Sequence, residues 1–158
     1  LVSTDVVWAL SGAGLASASG AAVPKDATSA CYARSDYADF ATLPGGTVLA
    51  VSNLGASIAA HTGHRALAGP YHRNQAGNLV TLDALMSEPE AARVLVRQHG
   101  IDYVAHCPGN AETGFLTSRA PEGLLAHLVA GEAPDWLEQL SFGEENTALT
   151  VFAVRPAN

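Results

Sequence analysis

The chain has 158 residues, 48% of them hydrophobic, and a slightly positive mean hydropathy, enough apolar material for one domain with a sizeable core. Its formal net charge is −7, with one lysine (Lys25) against seven arginines, so it lacks the clustered basic footprint that a phosphate backbone demands and nucleic acid is not an expected partner. No stretch supplies the roughly 20 consecutive apolar residues of a spanning helix, and no basic-then-apolar leader opens the chain.

Val2 to Leu15 (VSTDVVWALSGAGL) reads either as a short helix or as a remnant segment, and the Gly/Ser/Ala run to Ala22 favours neither. Residues 1–28 are therefore set apart, as a flexible or remnant segment, from a single α/β domain at 29–158. Ser29 to Leu43 (SACYARSDYADFATL) spaces Tyr32, Tyr37 and Phe40 like one face of a helix, and Pro44, Gly45 and Gly46 close it. Thr47 to Val51 (TVLAV) is β-branched and apolar, the pattern of a buried strand. Ser52 or Asn53 can cap a helix from Leu54 to Thr62, because either side chain accepts from free N–H groups of a first turn. Gly63 stops that helix. Arg65 to Gly69 is the next extended piece, and Pro70 ends it by removing a backbone donor. Tyr71, His72, Arg73 and Asn74 then fall in a turn just beyond a strand end, where open α/β sheets place their ligands.

Gln75 to Met86 carries Leu79, Leu82, Leu85 and Met86 at helical spacing. Glu88 to Gln98 has the clearest helix signals: Ser87 and Glu90 spaced as a capping box, Pro89 in the first turn, and Gly100 beyond the end. Ala91, Val94 and Leu95 are its expected buried stripe. Ile101 to Cys107 (IDYVAHC) follows as a strand, the short helix-to-strand connection of a second αβ step. Pro108, Gly109 and Asn110 turn beyond it, and parallel neighbouring strands would bring that turn near Tyr71–Asn74.

Pro121 to Ala130 reads as a helix with Leu124, Leu125, Leu128 and Val129 on one side and Gly131 after it. Glu132 to Leu140 is acidic around Trp136, whose ring is expected to pack under a loop. Glu144, Glu145 and Asn146 make a turn, and Thr147 to Val154 (TALTVFAV) is a last strand, antiparallel at an edge or paired with the Ile101 strand. The expected architecture is a three-layer α/β sandwich with a mostly parallel or mixed sheet of about four to six strands. No repeat and no domain linker is visible.

The chemistry-bearing residues are few. Cys31 and Cys107 lie too far apart for a compact metal knuckle; they read either as a disulfide, implying an oxidising compartment, or as two buried thiols. His61, His64 and His72 can be drawn as a three-histidine metal site, although Gly63 separates the first two and no acid lies near to orient an imidazole. That corner supports an alternative reading as an independent small α/β enzyme or metal-binding protein. Ser57 lacks a nucleophile elbow, and His106 and Cys107 alternate faces on a strand and cannot pair. Asp36, Asp39, Asp83 and Asp102 are scattered, so no carboxylate pair for glycoside hydrolysis is selected. Gly55 alone is no dinucleotide fingerprint. No catalytic set and no cofactor are expected. What remains as a binding surface is Tyr71, His72, Arg73 and Asn74 with Asn53 and Asn110: a planar guanidinium for carboxylate or phosphate and a phenol face for a sugar or lipid headgroup.

The run HTGHRALAGPYHRN (His61–Asn74), then HGIDYVAHCPG (His99–Gly109), then PDWLEQL (Pro134–Leu140), resembles the C-terminal extracytoplasmic domain of bacterial polytopic membrane proteins of the GT-C-type glycosyltransferase class. The resemblance covers Cys31 to Pro156, with Ala68 to Asn74 its most specific piece. It implies a parent whose transmembrane helices bind a polyprenyl-phosphate sugar donor, with catalytic acids in loops near the first helices, and a chain that serves as its non-catalytic periplasmic accessory or binding domain. The implied partners are the membrane-embedded part of the parent and a lipid-linked sugar or glycan, at the extracytoplasmic face of a bacterial inner membrane. Leu1 to Leu15 would then be the end of the last membrane helix.

Overall fold

A computed structural model describes residues 28–142 and 148–158. The readings of Val2–Leu15 and of the Glu144–Asn146 turn lie outside the described residues. Among the described residues five strands, β1 (Thr47–Leu49), β2 (Arg65–Ala66), β3 (Tyr103–His106), β4 (Leu137–Gln139) and β5 (Thr150–Val154), make one sheet in the order β2-β1-β3-β5-β4. Val48 stands opposite Ala66 on one side and Tyr103 on the other, both parallel, while Val104 faces Phe152 across an antiparallel pair and Leu137 faces Val154 across another.

Five α-helices accompany the sheet among the described residues: α1 (Ser52–His61), α2 (Gln75–Met86), α3 (Pro89–Gln98), α4 (Ala111–Arg119) and α5 (Leu124–Val129). The right-handedness of parallel crossovers fixes their layers. Because β1 to β2 and β2 to β3 step in opposite directions across the sheet, α1 covers one face and α2 with α3 the other. The contacts agree: α1 packs on β2 and on the short 3-10 turn Arg34–Tyr37, whereas α2 packs with α3, α4 and α5. The expected three-layer α/β sandwich with a mixed sheet is the architecture found. Val48, Leu49, Val104, Val151 and Phe152 form the middle of the core, met by Leu54 and Ile58 from α1 and by Leu85, Val96, Leu116, Leu124 and Leu125 from the other side.

Several local readings are corrected. Ser29–Leu43 is not one helix but two short 3-10 turns, Arg34–Tyr37 and Phe40–Thr42. Side chains divert the backbone there: Tyr37 Oη donates to the Cys31 carbonyl at 2.6 Å, the Ala33 N–H donates to the Asp36 carboxylate at 3.1 Å, and Cys31 sits at φ 59°. Cys31 and Cys107 are bonded, with sulfurs 2.08 Å apart, so the disulfide alternative is the one realised. Ser87 makes no capping box for α3; its Oγ donates back to the Asp83 carbonyl at 2.5 Å and closes α2.

Helix α3 buries Ala92 and Val96 and leaves Val94 62% exposed. Both stripes satisfy a 3.6-residue period, and packing against α2 decides between them. On α2, Thr81, Ala84 and Leu85 point inward while Leu79, Leu82 and Met86 are exposed. The acidic stretch around Trp136 contains the edge strand β4, and Trp136 is buried at its start. The last strand pairs with β3 and lies inside the sheet rather than at its edge.

Candidate functional site

Three parallel strands, β1, β2 and β3, deliver their C-terminal ends to one rim, and the loops that follow hold the polar residues singled out above. Between β1 and β3 the connections diverge, since β1 leads to a neighbour on one side and β3 lies on the other. Such a point opens a crevice between two helix N-termini, a ready site for an anion.

Here the crevice is filled by the protein's own carboxylate. Glu112, in the first turn of α4, accepts from Ser52 Oγ at 2.9 and 3.1 Å and from the Asn53 backbone N–H at 2.7 Å. It thereby caps α1 from another helix, a role expected of Ser52 or Asn53 themselves, and places a negative charge where the α1 dipole favours one. Asn110 caps α4, its Oδ1 accepting from the Glu112 N–H at 3.0 Å and from Asn53 Nδ2 at 3.3 Å. Its Nδ2 donates to the Ala30 carbonyl at 3.0 Å and to Tyr32 Oη at 3.3 Å. Asn110 is fully buried. Asn53 and Asn110 are thus brought together, as members of a structural knot.

The loop after β2 is built differently. Asn74 Nδ2 donates to the Leu67 carbonyl at 2.9 Å, while Asn78 meets both sides of Gly69, accepting from its N–H at 3.0 Å and donating to its carbonyl at 3.1 Å. The amide of Asn78 pairs with Gly69 as a strand neighbour would. On either side of this loop a glycine permits close approach: a side chain at Gly55 would strike the Ala68 carbonyl, and one at Gly77 the Leu67 carbonyl. Asn74 is therefore consumed in holding the loop, whereas Tyr71, His72 and Arg73 remain exposed. Tyr71 walls a groove of about 350 Å³ with Gly55, Ala59, Ala68 and Gly69. No hydrogen bond joins this loop to Asn53 or Asn110 among the described residues, so the six predicted residues form two neighbouring groups rather than one.

The histidine corner does not form a ligand set. His64 spends both ring nitrogens on the backbone, Nδ1 accepting from the Gly46 N–H at 3.2 Å and Nε2 within 2.8 Å of the Phe40 carbonyl, with its ring stacked on Phe40. The donor to Nδ1 assigns the proton to Nε2. His61 lies against Tyr37, and His72 is exposed. Among the described residues no three His, Cys, Asp or Glu side chains are grouped to hold a metal. His106 is buried with both ring nitrogens unpartnered among the described residues, stacked on Phe152, and burial holds its imidazole down at a pKa of about 4.

Two residues escaped the sequence reading, Glu112 and Asn78. Each carried a signal: Asn110 followed two positions later by an acid marks a helix N-terminus, and Asn74, just before α2, stands four residues ahead of Asn78, the spacing of neighbours along a helix.

No family model matches the chain, and no curated protein does. Among solved structures, the C-terminal globular domain of an oligosaccharyltransferase from Archaeoglobus fulgidus is similar, with a TM-score of 0.54 and 14% identity over 70% of this chain and 81% of that one. At that identity the likeness is one of fold.

Proposed function

We propose that the chain is a non-catalytic binding domain of a membrane-embedded glycosyltransferase-like protein, stationed on the extracytoplasmic side, and that the loop from Leu67 to Asn74 presents Tyr71, His72 and Arg73 to the glycan part of a lipid-linked sugar. One observation carries the reading: the loop is locked by Asn74, Asn78 and two close-packed glycines, yet its ring, imidazole and guanidinium are left to solvent. Preorganised, unpaired polar groups beside a groove are what a ligand needs and what a merely structural turn does not. A phenol face suits a sugar ring, and a guanidinium suits the adjoining phosphate. The fold shared with an oligosaccharyltransferase domain and the disulfide, a bond that persists in oxidising compartments, support the setting.

Titration of the chain with polyprenyl-phosphate sugars and with free oligosaccharides tests this. Saturable binding is expected, weakened about tenfold by Tyr71→Ala or Arg73→Ala, the change that follows from losing one good contact. Absence of binding to every such ligand, or full affinity in both variants, ends the reading.

A further inference from the structure

Away from that rim, the opposite end of the sheet gathers three of the seven arginines of a chain whose net charge is −7. Arg93 and Arg97 stand one turn apart on α3, and Arg155 follows the end of β5. Together with Asp135, Trp136 and Glu138 they line a groove of about 840 Å³. The Arg155 N–H donates to the Trp136 carbonyl at 2.9 Å, which fixes the strand end against β4.

The positive charges there are poorly answered. Arg93 meets Glu90 at 3.2 Å across an exposed i, i+3 pair, and Arg155 reaches Glu138 only at 4.0 Å with both side chains more than half exposed; pairs of that kind hold little. Arg97 makes no ion pair and no side-chain hydrogen bond among the described residues, and it is shared with Arg155 by an adjoining cleft of about 420 Å³. Trp136, almost wholly buried, forms part of the wall.

We infer that this groove is a binding site for a compact phosphate-class oxyanion, held by the guanidinium groups of Arg93, Arg97 and Arg155. A carboxylate occupies one guanidinium fork, whereas a phosphate or diphosphate presents enough terminal oxygens for three guanidinium groups that line one groove from two elements. The lining sets three arginines against Asp135 and Glu138, a small positive excess that suits one compact anion and not a long polyanion. The site is independent of the Tyr71 groove, and either can fail without the other.

Calorimetric titration of the chain with inorganic phosphate and with pyrophosphate, alongside flotation with phosphatidylcholine vesicles that contain or lack phosphatidic acid, tests the inference and separates a diffusible ligand from a lipid headgroup. Binding in either arm is expected to weaken about tenfold in Arg97→Ala and in Arg155→Ala, the ratio that loss of one charge-assisted hydrogen bond gives. Arg34→Ala, at an exposed arginine that lines neither groove, is expected to leave it unchanged. Both groove substitutions are at exposed side chains, and an unaltered melting curve confirms that they fold. The inference is overturned by no saturable binding in both arms, by affinity indifferent to Arg97 and Arg155, or by an equal loss in Arg34→Ala.

Discussion

At the scale of single residues, His106 carries the clearest consequence. Its imidazole is buried without a partner among the described residues, and burial lowers its pKa from 6.5 to about 4. A histidine whose folded pKa is depressed takes up its proton more readily when unfolded, so the stability it leaves intact at neutral pH is lost as pH falls below about 6.5 and continues to fall until about 4. The expected loss is about 3 kcal/mol over that window, an order-of-magnitude figure from the size of the shift. Urea denaturation at several pH values should show that slope in the native chain and a flattened one in His106→Leu, which also relieves two unmet polar atoms. An unchanged slope would assign the acid sensitivity to other groups. His64 shows the other fate of a buried histidine: with both nitrogens on the backbone, it is a stitch joining the Gly46 turn to Phe40.

At the scale of elements, the segment between β2 and α2 is held by backbone proximity. Gly77→Ala places a methyl against the Leu67 carbonyl and the Asn74 amide, and a loss of about 1–3 kcal/mol is expected from such overpacking. Asn78→Ala strips Gly69 of both its partners, for a similar loss of about 1–3 kcal/mol. Chemical denaturation measures both, and the two losses should not add, since they release the same loop; neutral variants would show that the loop is not held this way. These elements also mark what the letters could and could not reveal. Strands β1 and β3 and helix α1 were legible because apolar runs and Gly or Pro punctuation agree with the final packing. The face of α3 was not, because Ala91 with Val94 and Ala92 with Val96 fit the same period and only α2 chooses between them. Strand β4 was hidden for a related reason: its outward residues Glu138 and Gln139 read as an acidic loop, and its strand identity comes from pairing with β5. Of the candidate site, Tyr71–Asn74 was visible as a turn after a strand, but the split into a locked Asn74 and three exposed neighbours depends on Asn78 and Gly77, which act through distant backbone.

At the scale of the whole molecule, the disulfide joins the segment before the first 3-10 turn to the end of the central strand β3. Closing so long a loop stabilises by on the order of 4 kcal/mol in the chain-entropy model. Reduction, or Cys31→Ala with Cys107→Ala, should therefore lower the melting temperature by roughly 10 °C, read by thermal denaturation with and without reductant; an unmoved transition would show that packing alone holds the loop. The same bond has a mechanical meaning. Residues 32–106, which include β1, β2 and all of β3, lie inside the covalent ring, so tension applied at the two ends of the chain passes from Cys31 directly to Cys107 and never stretches that stretch of backbone. Beyond Cys107 the load falls on residues 108–158, with α4, α5, β4 and β5, while the backbone of the three parallel strands and the loops between them ride as unloaded cargo on a sulfur bypass.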